Sequence, residues 1–204
     1  MPLLVLGTSN RKKAIELREL LEPLGFELKT LADLPEAISV EETGETFAAN
    51  AALKAVEQAK HLGQWVLGED SGLAVDALGG APGVYSARYA GPDATDEANN
   101  QKLLRELADV PLEKRSAHYV CHATLADPNG KIRAESEGHC HGRILFTPSG
   151  TEGFGYDPLF EIPEFHRTFG QLGLAVKGIL SHRARALRQL IPQLVQLRDS
   201  GLLF

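Results

Sequence analysis

The chain is poor in sulfur and tryptophan: two cysteines, one methionine and one tryptophan in 204 residues. Two cysteines, Cys121 and Cys140, cannot staple a disulfide-dependent scaffold. None is needed, because a chain of this size buries roughly 70% of its unfolded surface. They suit a reducing compartment, although the sequence leaves one bond between them open. Positive charge is in deficit, with 21 Lys and Arg against 27 Asp and Glu and a net charge of −6. That excludes the broad basic face of a general nucleic-acid binder. Long apolar runs are missing too. The run that opens the chain, Met1 to Gly7, is far too short for a membrane span and carries no basic leader, so a cytoplasmic protein with no membrane partner is expected. With 43% apolar and 24% charged residues, the composition is that of an ordinary globular chain, read as a single domain over 1–204.

The pattern along the chain alternates. Pro2 to Gly7 reads as a buried strand and Thr8-Ser9-Asn10 as a tight polar loop. Arg11 to Leu21 reads as a helix capped by Asn10 and stopped at Gly25. Phe26 to Leu31 reads as a second strand, 32–45 as an acidic loop, and Thr46 to Leu62 as a long Ala-rich helix. Trp65 to Gly68 is a short apolar strand leading into Glu69-Asp70-Ser71-Gly72 and Leu73 to Leu78. Gly79 to Gly83 must be a loop. Thr95 to about Ala108 reads as a helix, and Ser116–Ala126 with Ile132–Gly142 as a hairpin turning at Asn129-Gly130. A Gly-rich loop spans 147–158, and Ser181 opens a final helix to about Leu197. Strands alternating with helices around a central hairpin predict an α/β fold with a mixed sheet.

Five polar clusters sit at the ends of these elements, where α/β folds place ligands. Thr8-Ser9-Asn10-Arg11-Lys12-Lys13, at a strand-to-helix turn, offers hydroxyls, free N–H groups and cations to a phosphate; its glycine spacing is not that of a P-loop. Glu41-Glu42-Thr43-Gly44-Glu45, with Asn50 and Lys54 one turn apart on the helix behind, offers oxygen ligands suited to Mg²⁺. Glu69 and Asp70, if the strand continues, point to opposite faces, so one can bind metal or activate water while the other supports it. Gly153-Phe154-Gly155-Tyr156-Asp157-Pro158 lets backbone and aromatic ring approach a flat ligand. Lys177, His182 and Arg183 form the last cluster. Cations in a first helical turn oppose the dipole, so an anion or an acceptor-rich base would account for the last two.

One apparent metal set is a decoy. Cys121, His122, His139, Cys140 and His141 resemble ligands. With Asn129-Gly130 as the turn, however, His118 faces His141 and shares a side with His122, while both cysteines point to the other side. The five do not converge on one tetrahedral site.

Taken together, the clusters resemble one family, the inosine/xanthosine triphosphate pyrophosphatases. The resemblance is carried in order by Thr8 to Lys13, Glu41 to Gly44 with Thr46-Phe47, Asn50-Ala51 with Lys54-Ala55, Glu69 to Gly91, Gly153 to Pro158 and Ser181-His182-Arg183, nearly the whole chain. It implies an α/β fold with a central mixed sheet flanked by helices, two lobes with a nucleotide cleft between them, and a homodimer. It also implies Mg²⁺-dependent hydrolysis of non-standard purine nucleoside triphosphates (dITP, ITP, XTP) to the monophosphate and pyrophosphate. Asp70 matches the general base and metal ligand, with Glu41 or Glu42 as second ligand. Ser71 and Thr8, Ser9, Asn10, Arg11, Lys12 and Lys13 match substrate contacts. Phe154, Gly155, Tyr156, Asp157, Lys177, His182 and Arg183 match the base and phosphate pocket. The chain departs from the family at Ser9, where Gly is usual and where a positive φ would strain a serine. It departs also at Glu69, Ala49 and Val176.

On that reading Mg²⁺ offsets triphosphate charge and Asp70 aims water at the α-phosphorus. Lys13 and Lys177 bind phosphates, and His182 and Arg183 favour a 6-oxo purine over adenine. Two other readings compete: a non-catalytic nucleotide sensor, and an enzyme acting on modified pyrimidine triphosphates.

Overall fold

A computed structural model describes residues 3–203; the first residue of the expected opening strand, Pro2, lies outside the described residues. The strands are β1 (Leu3–Leu6), β2 (Glu27–Thr30), β3 (Trp65–Val75), β4 (Ser116–Ala126), β5 (Ile132–Ile144), β6 (Phe160–Ile162) and β7 (Arg167–Thr168). The helices are α1 (Arg11–Leu21), α2 (Phe47–Leu62), α3 (Asp96–Glu106), α4 (Phe169–Leu180) and α5 (His182–Asp199). The sheet order is β2-β1-β3-β4-β5-β6-β7. Strands β2 and β3 lie parallel to β1, whereas β6 is antiparallel to β5 and β7 to β6. The expected α/β class with a mixed sheet is therefore present.

The chain divides into two compact units, one of Met1–Asp70, Cys121–Gly138 and His182–Phe204, the other of Ser71–Val120 and His139–Ser181. In the first, β1 is buried on both faces. Leu4 and Leu6 join Leu17 and Leu21 of α1 and Leu187, Leu190 and Leu194 of α5, while Val5 joins Ala55 and Ala59 of α2. Strand β3 repeats the alternation, with Trp65 and Leu67 on the α1/α5 side and Val66 on the α2 side. The second unit packs Leu73 and Val75 of β3 with Leu103 and Leu107 of α3 and with Tyr119, Phe160 and Phe169. Among the described residues, no helix is long and apolar enough to cross a membrane.

The cap expected at Asn10 is present, and the helices expected to start at Thr46 and Thr95 are capped there. The Asn10 side chain accepts from the N–H groups of Lys12 and Lys13, Thr46 from Ala49 and Thr95 from Ala98; each such cap stabilises its helix by about 1 kcal/mol. Gly25 (φ 75°) ends the short 3-10 turn that follows α1.

Three local expectations differ. Glu69-Asp70 does not follow the apolar strand but lies within it, because β3 runs unbroken through Val75. They lie beyond the end of β1, whose register with β3 stops at Leu6 opposite Leu67, and both are buried. The hairpin turn is Asp127-Pro128-Asn129-Gly130, closed by Gly130 N–H on Asp127 O at 2.7 Å. Pro128 favours the second position of a type I turn, whereas a turn on Asn129-Gly130 needs a positive φ at both. Of the two only Gly130 has one (φ 76°). Finally, β6, β7 and α4 fill a stretch, 159–180, to which the sequence pattern assigns no element. Gly170, Gly173 and Gly178 dilute the helical signal of α4, and Gly173 (φ 76°, ψ 173°) breaks its helical path.

Candidate active site

Strand alternation builds the first group. Glu69 inherits the side of Trp65 and Leu67, facing α1 and α5; Asp70 inherits the side of Val66, facing α2. Gly68 brings α2 onto the strand. A Cβ there would stand 2.5 Å from Ala51 O and 2.6 Å from Ala55 N, so only glycine admits this approach. Residues one turn apart on that face of α2 then reach Asp70. Lys54 Nζ lies 2.9 Å from Asp70 Oδ1, and Asn50 Nδ2 donates to Asp70 Oδ2 at 3.3 Å. Asn50 also accepts from Gly44 N–H at 2.8 Å, which ties the acidic loop down. Lys54 Nζ reaches Glu42 Oε1 at 3.3 Å. Of the two glutamates left open by the sequence, Glu42 shares an ammonium with Asp70, while Glu41 is exposed.

On the opposite side, Glu69 takes Lys13 Nζ at 2.8 Å, Arg183 Nη2 at 3.2 Å and Cys121 Sγ at 3.3 Å. Arg183 also pairs with Glu16 of α1. The anion that offsets a cation in the first turn of α5 is thus supplied by the protein's own carboxylates. Arg183 is 1% exposed and His182 4%.

The neighbouring carboxyls are driven apart. Burial pushes Asp70 up, the Lys54 and Lys13 ammoniums pull it back and Glu42 adds to the rise, leaving it above its ordinary value. Burial pushes Glu69 up as well, but Arg183, Lys13 and Lys54 overcome it and hold it well below the usual range. The two adjacent carboxyls are thus held on opposite sides of the ordinary carboxylate range, Asp70 above it and Glu69 well below. Burial disfavours the Lys54 ammonium, yet Asp70, Glu69 and Glu42 raise it overall. Cys121 is pushed well up, first by burial and then by Glu69.

The loop before α1 presents Thr8, whose Oγ1 accepts from Asn10 N–H at 3.1 Å, and exposed Ser9, Asn10, Arg11 and Lys12. Ser9 is not in the left-handed region: His166 is the positive-φ non-glycine among the described residues, so serine is unstrained there. Thr8, Ser9 and Arg11 also line a cavity of about 480 Å³ with Ile15, Arg18 and Thr30.

The second group lies wholly in the other unit. Asp157 is 1% exposed. It accepts from Lys177 Nζ at 2.6 Å, Phe154 N–H at 2.8 Å and Tyr119 OH at 3.4 Å. Lys177 Nζ stands 4.0 Å above the Phe154 ring centroid, a cation–π contact. Gly153 (φ 79°) is required here, since a Cβ would meet Asp157 Oδ2 at 2.1 Å. Tyr156 is buried, and its OH donates to Ser86 O at 2.8 Å. Of the two aromatic rings of this loop, Tyr156 is buried and Phe154 half-buried. Ser71, half-buried in β3, is the first residue of this unit.

The decoy set separates. His122 meets Glu135 and Glu137; His118 meets His139 and His141; Cys121 faces Glu69 and Cys140 lies in the apolar core. Both cysteines are free. Among the described residues, no group of three or more His, Cys, Asp or Glu side chains is arranged to hold a metal. Glu42 and Asp70 offer two carboxylates, a number that fits Mg²⁺, which fills its other positions with water and phosphate oxygens.

Sequence reading placed Asn50 and Lys54 beside the acidic loop without carrying them into the site. It missed Glu16 altogether: on α1 it reads as one more solvated acid. Its signal is position, three residues after Lys13 and on the same face of the helix as the core residue Leu17.

The profile of the Ham1 family matches residues 4–193. The chain belongs to the Ham1 family. A dITP/XTP pyrophosphatase of Rhodopirellula baltica is 61% identical over 198 residues, covering 97% of this chain and 95% of that one. One from Desulforamulus reducens is 49% identical over 91% of this chain and 92% of its own. The structure of a HAM1 protein from Coxiella burnetii superposes with a TM-score of 0.87 at 38% identity, covering 96% of this chain and all of that one. A nucleoside-triphosphatase, dITP/XTP pyrophosphatase, from Mycobacterium abscessus gives 0.75 at 43% identity over 94% and 99%.

Proposed function

We propose that this chain hydrolyses dITP, ITP and XTP to the nucleoside monophosphate and pyrophosphate, removing non-standard purines from the triphosphate pool. The family membership and the names of the relatives support the substrate class. The observation that carries the chemistry is the setting of Asp70. It is a buried carboxylate raised above its ordinary value, held by Lys54 and Asn50, with a second carboxylate, Glu42, on the same ammonium.

Asp70 orients a water and takes its proton as the oxygen attacks the α-phosphorus. The bond from that phosphorus to the bridging oxygen breaks, and pyrophosphate leaves with the bonding pair. Glu42 and Asp70 are the residues that would hold Mg²⁺, which when bound offsets charge on the triphosphate. Lys13, held to α1 by the Asn10 cap, exchanges Glu69 for a phosphate oxygen. Phe154 gives the base a flat surface, with Lys177 fixed behind it by Asp157. Arg183 acts through Glu69, with which it pairs at 3.2 Å. Two free, buried cysteines suit a cytosolic enzyme. The resemblance further implies a homodimer, which sedimentation of the purified protein tests.

A substrate panel tests the reading: dITP and XTP against dATP, dGTP, dTTP and UTP, with released pyrophosphate distinguished from orthophosphate. Preference for dITP and XTP with pyrophosphate as product supports it. Preference for a pyrimidine triphosphate, or binding without turnover, overturns it.

A further inference from the structure

The Phe154 ring can present a flat surface only if its backbone is fixed, and the hydrogen bonds that fix it come from two places. Asp157 takes both polar groups of Phe154 itself: its carboxylate accepts from Phe154 N–H at 2.8 Å, and its own N–H donates to Phe154 O at 3.2 Å. The next residue, Gly155, is held from α3. Asp96 Oδ2 accepts from Gly155 N–H at 2.9 Å, and Asn100 Nδ2 donates to Gly155 O at 2.9 Å. Positions 96 and 100 are one helical turn apart and share a face. They form a two-pronged clamp on one residue, gripping the peptide unit on either side of the Gly155 Cα.

The clamp is itself anchored. Thr95 caps the helix through Ala98 N–H. On the adjoining face, Asn99 accepts from Ala90 N–H at 2.8 Å and donates to Ala87 O at 3.1 Å, and Lys102 Nζ donates to Tyr89 O at 2.8 Å. Helix α3 therefore joins the Gly83–Arg88 turn and the chain after it to the Phe154 loop. Gly155 (φ 61°) has no side chain of its own to pack, and beyond its two chain neighbours nothing lies within 4 Å of where a Cβ would stand. Its orientation rests on the two hydrogen bonds from α3.

We infer that Asp96 and Asn100 are positioning residues for the purine base: they hold the Gly155 backbone on both sides of its Cα and so set the plane of the Phe154 ring. This rests on the reading above, in which Phe154 receives the base. Neither residue touches the reacting atoms. Losing either hydrogen bond loosens the ring against bound nucleotide and leaves the phosphate chemistry at Asp70 in place, so the cost falls on binding.

Steady-state kinetics with dITP on Asp96→Ala, Asn100→Leu and Asp96→Asn tests this, with a melting curve for each. Asp96→Ala and Asn100→Leu are expected to raise KM about threefold to tenfold, the worth of one lost hydrogen bond, with kcat within about twofold of wild type. Asp96→Asn keeps an acceptor for Gly155 N–H and restores KM. Asn100 is buried, so Asp96→Ala, at a more exposed bond, carries the test if Asn100→Leu does not fold. A wild type that turns over dITP, with a folded Asp96→Ala of unchanged KM, overturns the inference and leaves the reaction standing. A wild type inert to dITP overturns both.

Discussion

Glu69 and Asp70 are neighbours in the chain and face opposite sides of one strand, Glu69 toward Lys13 and Arg183 and Asp70 toward Lys54 and Asn50. Their surroundings move the two carboxyls in opposite directions. Adjacent residues of like chemistry thus acquire different work from the pleat alone, and the consequences can be measured.

Glu42 shares Lys54 with Asp70, and Glu41 is exposed. Glu42→Gln is therefore expected to lower turnover and to raise the Mg²⁺ concentration needed for half-maximal rate by about tenfold, as loss of one of two carboxylate ligands implies. Glu41→Gln is expected to behave like wild type. Magnesium titrations of the two variants check this, and a reversed order would reassign the second ligand.

Arg183 lies fully buried between Glu16 and Glu69. Arg183→Met removes the buried cation that Glu16 and Glu69 share, while Glu69 keeps Lys13, and is expected to destabilise the fold by about 3–5 kcal/mol. Urea unfolding measures it. A change near zero would mean that the pairs contribute nothing net.

How much of this is legible in the sequence follows from what each feature depends on. The Asn10 cap, the long helices with their starts at Thr46 and Thr95, and the hairpin strands depend on local pattern and stand where it puts them. The opposite facing of Glu69 and Asp70 follows from strand alternation. The choice of Glu42 over Glu41 does not, since both lie in irregular chain and only the reach of Lys54 separates them. The burial of Arg183 depends on Glu16, 167 residues away in sequence. Helix α4 is hidden because three glycines dilute its periodicity.

Gly68 is the point at which α2 meets β3. Gly68→Ala forces a Cβ to within 2.5 Å of Ala51 O, and backbone cannot move aside cheaply. The expected cost is about 1–3 kcal/mol, with loss of activity because Lys54 and Asn50 shift. Melting temperature and turnover measured together check it; an active, equally stable variant would show that the helix is free to retreat.

Burial pushes the Asp127 carboxyl up, but the Lys131 N–H, the Arg133 guanidinium and the Asn129 N–H outweigh it and hold it below its ordinary value. A lowered folded value gives stability that is present above the unfolded carboxylate range, about 3.9, and is lost as pH falls through the folded value. Asp127→Asn is expected to lower stability at pH 7 and to flatten the fall in acid. Unfolding midpoints from neutral to acid pH for both proteins check the slope.

The most direct measurement is turnover of dITP by Asp70→Asn, with pyrophosphate release as readout and circular dichroism as the control for folding. The side chain keeps its size and loses its capacity to take a proton. A folded variant with turnover reduced by at least about a hundredfold is the result the account predicts. A folded variant that releases pyrophosphate at the wild-type rate would contradict it.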